Sequence, residues 1–186
     1  MFPGSFNPPT TAHVAISNAA RAQHRLDVLV WSVSRVALAK EDVQRPLLDD
    51  RLTVLREVAS SIDWLEVAVT DAQLLADVAA GFDVIVMGAD KWHQIHDPVF
   101  YDGDTARRDA AISSLPTPAI APRPPHDVPV SMRLAVPAWV GSVSSTMARS
   151  VDPAVMVPEA ARFDAQTGAW TDPARYERWR TTRYAT

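Results

Sequence analysis

An α/β fold with a parallel sheet is predicted for this chain by two patterns in its 186 residues. Several continuous apolar runs have the length of strands, and such runs fit strands that are covered on both faces. Stretches with the apolar spacing of helices lie between these runs. Strands that alternate with helices imply βαβ units, whose crossovers are right-handed.

The predicted strands are apolar along their length and cover residues 26–33, 64–69, 82–87 and 134–140, with a further short strand near residues 118–121. Only Met1, Phe2 and Pro3 precede the first glycine, where such a sheet places its first strand. We therefore expect that strand to be either a stub or lost.

Helical spacing is present in residues 11–25, 49–60, 71–80 and 105–113. Asp71 is the expected cap of the third helix, and Asp172 followed by Pro173 predicts a short C-terminal helix. Prolines concentrate in residues 116–129 and 153–173, which we expect to form loops. We expect one domain, with residues 1–150 as the α/β part and residues 151–186 as a C-terminal loop and short helix packed on it.

The formal net charge of −4 argues against a non-specific nucleic-acid binder, which needs a basic face. An anionic ligand must therefore be met by local positive groups. The chain has no cysteine, so a disulfide framework and a thiolate metal site are both excluded. No apolar run reaches the length of a membrane span. We expect a cytoplasmic protein with no membrane partner, and a homo-oligomer stays open.

Two segments carry the chemistry. Residues 4–13 read Gly-Ser-Phe-Asn-Pro-Pro-Thr-Thr-Ala-His and run into a helix, whose first turn offers backbone amides to an anion. Thr10 and His13 are three residues apart, so they can face one ligand. Residues 141–149 read Gly-Ser-Val-Ser-Ser-Thr-Met-Ala-Arg and offer hydroxyls, amides and Arg149 to a second phosphate. For either segment alone, simple helix capping is the competing explanation.

Together the two segments resemble the motifs of the nucleotidylyltransferase superfamily, which are HxGH or TxGH after the first strand and ISSTxxR near the end of the sheet. Thr10 and His13 stand at the functional positions of the first motif, and Val143 replaces isoleucine in the second. Ala12 replaces a glycine that lets the backbone approach the nucleotide. The resemblance implies a doubly wound parallel sheet, the Rossmann-like nucleotidylyltransferase fold, with nucleotide at the C-terminal ends of the strands.

Two further segments look like those of the nicotinate or nicotinamide mononucleotide adenylyltransferases. Met-Gly-Ala-Asp-Lys-Trp at residues 87–92 is similar to that family's GAD segment. Lys40, one of only two lysines, and the helix containing Arg51 are similar to its lysine-bearing loop and DRxxML-like helix. By this resemblance Asp90 binds a ribose hydroxyl, Lys40 binds a phosphate and Trp92 lies near the acceptor base. Core packing of Trp92 is the alternative.

The resemblance thus assigns three groups of site residues. The implied catalytic residues are Thr10, His13, Lys40 and Arg149. The implied nucleotide-binding residues are Gly4, Ser5, Phe6, Gly88, Asp90, Ser144, Ser145 and Thr146. The implied acceptor-binding residues are Arg51, Lys91 and Trp92. No protein-held metal site is expected, because His93 and His96 have no third ligand at a suitable spacing and are interpreted as a solvated pair.

The implied reaction is transfer of AMP from ATP to a phosphate-bearing acceptor, with release of pyrophosphate and with Mg²⁺ bridging the phosphates. Nicotinate or nicotinamide mononucleotide is the expected acceptor. The opening Phe2-Pro3-Gly4-Ser5-Phe6 also looks like the pantetheine-phosphate adenylyltransferases, and transfer from CTP is a further alternative. The non-enzyme alternative is a nucleotide-binding protein that kept the fold and lost turnover.

Overall fold

The computed structural model describes residues 1–35, 46–72 and 74–183. Its strands are β1 (Phe2–Pro3), β2 (Leu29–Ser34), β3 (Leu65–Thr70), β4 (Val84–Gly88) and β5 (Thr117–Ala121). They pair in parallel as β1-β2-β3 and as β4-β5. Met1 joins the two groups, because its nitrogen donates to the Val84 carbonyl at 2.7 Å and its carbonyl accepts from Val86 at 2.8 Å.

The joined sheet has the order β3-β2-β1-β4-β5, which is the doubly wound arrangement with its switch point between β1 and β4. The first strand is a stub of two residues, and it lies at the centre of the sheet. From β1 the chain adds β2 and β3 on one side of the sheet, and it then adds β4 and β5 on the other side. The loops after β1 and β4 therefore lead away from each other. A crevice for ligands opens there in such folds.

The helices are α1 (Thr11–His24), α2 (Leu48–Ser60), α3 (Leu75–Val78), α4 (Ala89–Gln94), α5 (Thr105–Ser113), α6 (Ser145–Ser150), α7 (Pro158–Thr167) and α8 (Pro173–Arg183). One apolar cluster joins a face of the sheet to α1, α2, α7 and α8, and includes Trp31, Leu55, Ala160 and Tyr176. A second cluster joins the other face to α3, α4 and α5, and includes Ile85, Met87 and Ile120. Helices therefore cover both faces, which confirms the predicted fold class.

The predicted strands over residues 26–33, 64–69, 82–87 and 118–121 are confirmed with small shifts of their ends. Residues 105–113 are helical as predicted, and the C-terminal helix begins after Asp172, whose side chain accepts from the Arg175 amide at 2.9 Å. Pro118 is tolerated within β5 because that strand ends the described strand order.

Three sequence predictions were wrong. Residues 134–140 form no strand: the Leu134 amide donates to the Ile120 carbonyl at 2.9 Å, but Pro137 has no amide to donate, and a 3₁₀ turn follows at Ala138–Ser142. The helix predicted over residues 71–80 is reduced to α3, and Asp71 pairs with Arg35 at 3.2 Å instead of capping it.

The third error concerns the proline-containing segment 153–173, which was expected to be loop. It contains the ten-residue helix α7, whose first residue is Pro158. A proline is favourable at this position because the first amides of a helix have no partner within it. Among the described residues, none of the helices has both the length and the apolar composition needed to cross a membrane.

Candidate active site

A cavity of about 820 Å³ opens at the carboxyl ends of the strands, beside the switch point. The loop after β1, the ends of β2 and β3, and the segments after β4 and β5 all contribute to its wall. Its described lining includes one carboxylate, Asp90, and four cationic side chains. The four are Arg51, Lys91, Arg123 and Arg149. A protein of net negative charge thus presents a locally positive cavity, which favours an anionic ligand.

His13 is fixed by the residue that begins its helix. The Thr10 amide donates to His13 Nδ1 at 2.9 Å, and the Thr10 hydroxyl lies 2.8 Å from the same nitrogen. A backbone amide can only donate, so Nδ1 is an acceptor and the ring proton resides on Nε2. Thr10 itself is fully buried. It orients the imidazole, and Nε2–H is left as the donor for a ligand in the cavity.

The electrostatic setting keeps this imidazole neutral. Burial, and secondarily the positive charge of Arg123, lower the pKa of His13 from 6.5 to about 4. At neutral pH His13 is therefore a neutral hydrogen-bond donor. It can bind a phosphate oxygen through Nε2–H without a protonation step.

An aromatic stack supports the same ring from beneath the loop. Phe6 is buried, stacks on Trp31 at 4.7 Å and lies 5.0 Å from the His13 ring. Its φ of +42° is unusual for a residue other than glycine, and such backbone is found mostly at functional sites. A Cβ on Gly4 would come within 3.0 Å of the Phe6 ring, so glycine is needed there. Phe6 therefore shapes the loop from the core.

The second motif forms the start of α6. Ser144 is its N-cap, and its hydroxyl accepts from the Met147 amide at 3.0 Å. Ser145 donates to the Pro8 carbonyl at 2.8 Å, and Arg149 donates to the Asn7 carbonyl. Arg149 also donates to the Thr146 hydroxyl at 3.2 Å. These bonds join the two motif segments, so their donors converge on one part of the cavity, which we call the His13 side (residues 4–13 and 144–149).

Asp90 follows β4, and its carboxylate turns back over Gly88. A Cβ at residue 88 would displace the Asp90 carboxylate from this position. Asp90 pairs with Arg123 at 3.4 Å, and Arg123 also donates to the Val143 carbonyl at 2.7 Å. Neither motif segment includes Arg123. Its position directly after β5, between Pro122 and Pro124, could have indicated it, because ligands meet parallel sheets at such strand ends.

The cavity lining outside the two segments of the His13 side includes Ser34, Thr70, Leu75, Lys91 and Gln94, and we call this set the Lys91 side. Lys91 is exposed, and its ammonium donates to the Gln94 amide oxygen at 3.1 Å. Arg51 is a buried residue of the lining and donates to the Ser5 carbonyl at 2.9 Å, so it supports the loop after β1. Lys40 lies outside the described residues.

Trp92 is absent from the described cavity lining. Its ring packs against the second core cluster and lies edge-on to His96 at 4.5 Å. His93 on α4 instead contacts His126 at 4.9 Å, so His93 and His96 have different ring partners. Within the described ranges, no three His, Asp or Glu side chains are grouped as metal ligands. Ala12 is buried against Val140 and Val143, where its methyl extends an apolar wall.

These features describe an α/β protein with a locally positive cavity at the switch point of its sheet. A family model described as cytidylyltransferase-like matches residues 1–151. The chain belongs to the cytidylyltransferase-like family, within the nucleotidylyltransferase superfamily, and is a nucleotidyltransferase enzyme.

Among solved structures, the chain is similar to the Plasmodium falciparum nicotinic acid mononucleotide adenylyltransferase complexed with NaAD. The TM-score is 0.59 and the identity 12%, and the match covers 89% of this chain and 93% of that one. At this identity the likeness supports the fold. No curated protein matches the sequence significantly.

Proposed function

We propose that this nucleotidyltransferase moves AMP from ATP to nicotinate or nicotinamide mononucleotide and releases pyrophosphate, a step of NAD biosynthesis. The observation that carries the proposal is the fixed imidazole of His13. Its Nδ1 is held by the Thr10 amide at 2.9 Å, so Nε2–H is oriented before any substrate arrives. Donors that are fixed in advance stabilise developing charge most effectively.

In the proposed reaction an acceptor phosphate oxygen attacks the α-phosphorus of ATP. The new P–O bond forms as the bond from the α-phosphorus to the bridging oxygen breaks, and the electron pair leaves with pyrophosphate. Negative charge grows on the leaving phosphates, where we place His13, Arg149 and the start of α6. The protein supplies position and charge and forms no covalent intermediate.

Mg²⁺ enters this proposal with the nucleotide, as MgATP. Asp90 is the one carboxylate in the described lining, and it is already paired with Arg123. A single carboxylate that is already in an ion pair provides few protein ligands, so the magnesium ion would be held mainly by substrate phosphates and water.

The acceptor assignment depends on the segment after β4. Asp90 and Lys91 both line the cavity, and the Lys91 ammonium suits the carboxylate of nicotinate mononucleotide. The Lys91 side also offers the hydroxyls of Ser34 and Thr70. These groups fit a mononucleotide, whose phosphate must face the His13 side for transfer.

Phosphopantetheine is a second candidate acceptor, and one observation favours it. Trp92 is outside the described lining, while Ala72, Leu75 and Val78 present aliphatic surface there. An aliphatic wall suits a flexible chain as well as it suits a heteroaromatic ring.

The test is pyrophosphate release with MgATP and, in separate reactions, nicotinate mononucleotide, nicotinamide mononucleotide and phosphopantetheine, each repeated with MgCTP. Turnover with a mononucleotide and ATP supports the proposal. Turnover only with phosphopantetheine, or only with CTP, would replace the acceptor or the nucleotide assigned here.

A further inference from the structure

The loop after β1 is held in place by contacts on several of its polar atoms. Asn7 is buried, and its carbonyl accepts from Arg149 while the Pro8 carbonyl accepts from Ser145 at 2.8 Å. The preceding residue, Phe6, has a positive φ that costs energy for a side chain of this kind. A loop with such a backbone keeps its shape only when its surroundings determine it.

Part of this surrounding structure comes from beyond residue 151, where the family match ends. The Trp170 indole Nε1–H donates to Asn7 Oδ1 at 2.9 Å, across 163 residues of chain. The Val157 amide donates to the Pro9 carbonyl at 3.2 Å, and Met156 bridges to Thr10. The segment from Met156 to Trp170 therefore contacts every residue from Asn7 to Thr10 except Pro8.

Trp170 is itself fixed by a buried carboxylate. Asp164 accepts from the Trp170 amide at 2.6 Å, and from the amide and hydroxyl of Thr171 at 3.0 and 2.5 Å. The indole also packs edge-on against Phe163 at 5.8 Å. These hydrogen bonds fix the Trp170 backbone, while burial of the ring and its contact with Phe163 hold the indole towards Asn7.

The line of contacts ends at the imidazole. Asp164 accepts from the Trp170 amide, and the Trp170 indole donates to Asn7. Thr10 follows Asn7 at the end of the same loop. The Thr10 amide sets the tautomer and direction of His13. A displacement of this loop by a fraction of an ångström would move the His13 donor relative to a bound phosphate, and rate is sensitive to such misplacement.

We infer that Trp170 is a positioning residue for nucleotidyl transfer, and that the segment after residue 151 fixes the loop that orients His13. Trp170 acts through Asn7 and the loop backbone and has no contact with the reacting atoms. The kinetic part of the test rests on the proposed function, whereas the spectroscopic part requires no substrate.

The kinetic test compares Trp170→Phe, which removes the indole N–H and keeps an aromatic ring, with Trp179→Phe. Trp179 is the matched control because it is on α8, stacked on Tyr176 at 5.8 Å. We expect Trp170→Phe to lower kcat about five- to tenfold, the usual effect of one hydrogen bond, with KM for ATP changed less than twofold. Trp179→Phe should keep kcat within about twofold. Equal kcat in the two variants would overturn the inference.

Trp170→Phe leaves Asn7 Oδ1 buried without its donor, which can destabilise the fold. The double variant Trp170→Phe/Asn7→Ala removes both partners and keeps the test decisive. Each variant breaks the same hydrogen bond. We therefore expect Asn7→Ala, Trp170→Phe and the double variant to lower kcat by the same factor. If the loss of kcat in the double variant equals the product of the two single losses, the two residues do not act through this one hydrogen bond.

The spectroscopic test uses ¹⁵N-histidine NMR of the substrate-free protein. The His13 ring should show the Nε2–H tautomer in the wild type and in Trp179→Phe. In Trp170→Phe its nitrogen shifts should move towards a mixture of tautomers as the Thr10 donor becomes less well placed. Unchanged His13 signals in a folded Trp170→Phe would overturn the inference even if no acceptor supports turnover.

Discussion

On the His13 side of the cavity, the donors are held by partners from distant parts of the chain, whereas Lys91 on the other side contacts Gln94 one turn along its own helix. Ser145 reaches Pro8, Arg149 reaches Asn7 and Trp170 reaches Asn7 from another direction. Lys91 is exposed, while Thr10 and Asn7 are buried. The His13 side is thus held before binding by bonds from distant parts of the chain, and the lysine at the end proposed to bind the acceptor is exposed to solvent.

This difference assigns separate tasks to the two sides. Stabilisation of a transition state requires donors that need no reorganisation, which is the property of the His13 side. Recognition of an acceptor can use groups that adjust to the ligand. Variants on the His13 side should therefore change turnover, and variants on the Lys91 side should change the KM of the acceptor.

The largest effect is expected for His13→Ala, which should lower kcat by at least about a hundredfold because it removes an oriented donor. His13→Gln can restore an N–H near the Nε2 position and should recover part of the rate. His13→Asn keeps an acceptor for the Thr10 amide without that donor, so it should resemble the alanine variant. Steady-state kinetics of the three folded proteins measure this, and near-normal kcat in His13→Ala would refute the role.

Arg149→Lys is expected to lower kcat about ten- to a hundredfold. A planar guanidinium can bind two phosphate oxygens and still donate to the Asn7 carbonyl, and an ammonium offers a single centre of charge. The measurement is kcat and KM at limiting and saturating ATP. Unchanged kinetics would show that Arg149 only supports the loop, and that lysine can replace it there.

The pH response of His13 should set it apart from an ordinary histidine. Its pKa is about 4 in the folded protein and about 6.5 in the unfolded chain, so between these values the unfolded state binds the extra proton. The His13 contribution to the free energy of unfolding is therefore complete above pH 6.5 and decreases as the pH falls towards 4. At pH 5.5 the folded ring should be neutral, where a ring with a pKa of 6.5 is about 90% protonated.

NMR titration of the His13 ring measures this pKa, and chemical denaturation of His13→Asn at pH 7.5 and pH 5 provides the control. The wild type should lose more stability than the variant between the two pH values. Titration of His13 near pH 6.5 would mean that burial and the charge of Arg123 do not act on it as the geometry requires.

Lys91→Met should raise the KM of the acceptor about tenfold and leave the KM of ATP within about twofold, because the ammonium is assigned to the acceptor alone. Gln94→Met is the matched control, since it changes the hydrogen-bond partner of Lys91 and keeps the charge. Equal increases for both substrates in Lys91→Met would remove the distinction between the two sides.

The two sides also differ in how far they could be predicted from sequence. Each motif of the His13 side is contiguous, so Thr10 with His13, and Ser144 with Arg149, are visible as local patterns. Asn7 and Trp170 are 163 residues apart, and Arg123 meets Asp90 across 33, so no local spacing indicates either pair. The false strand at residues 134–140 shows a different limit, because an apolar run fixes neither burial nor hydrogen bonding: Trp139 is exposed, and Pro137 has no amide to donate.

The smallest effect on catalysis is expected for Trp92→Ala, although the family resemblance implies that Trp92 lies near the acceptor base. The indole packs against the second core cluster and His96, and it is outside the described lining. Truncation should therefore lower the melting temperature, as removal of a partly buried aromatic ring does, and change the KM of ATP and of the acceptor by less than about threefold. Thermal unfolding with steady-state kinetics separates the two roles. A selective tenfold rise in the KM of the acceptor, with little loss of stability, would mean that Trp92 turns into the cavity when the acceptor binds. The Lys91 side would then become ordered by its ligand, and the contrast with the pre-formed His13 side would be sharper still.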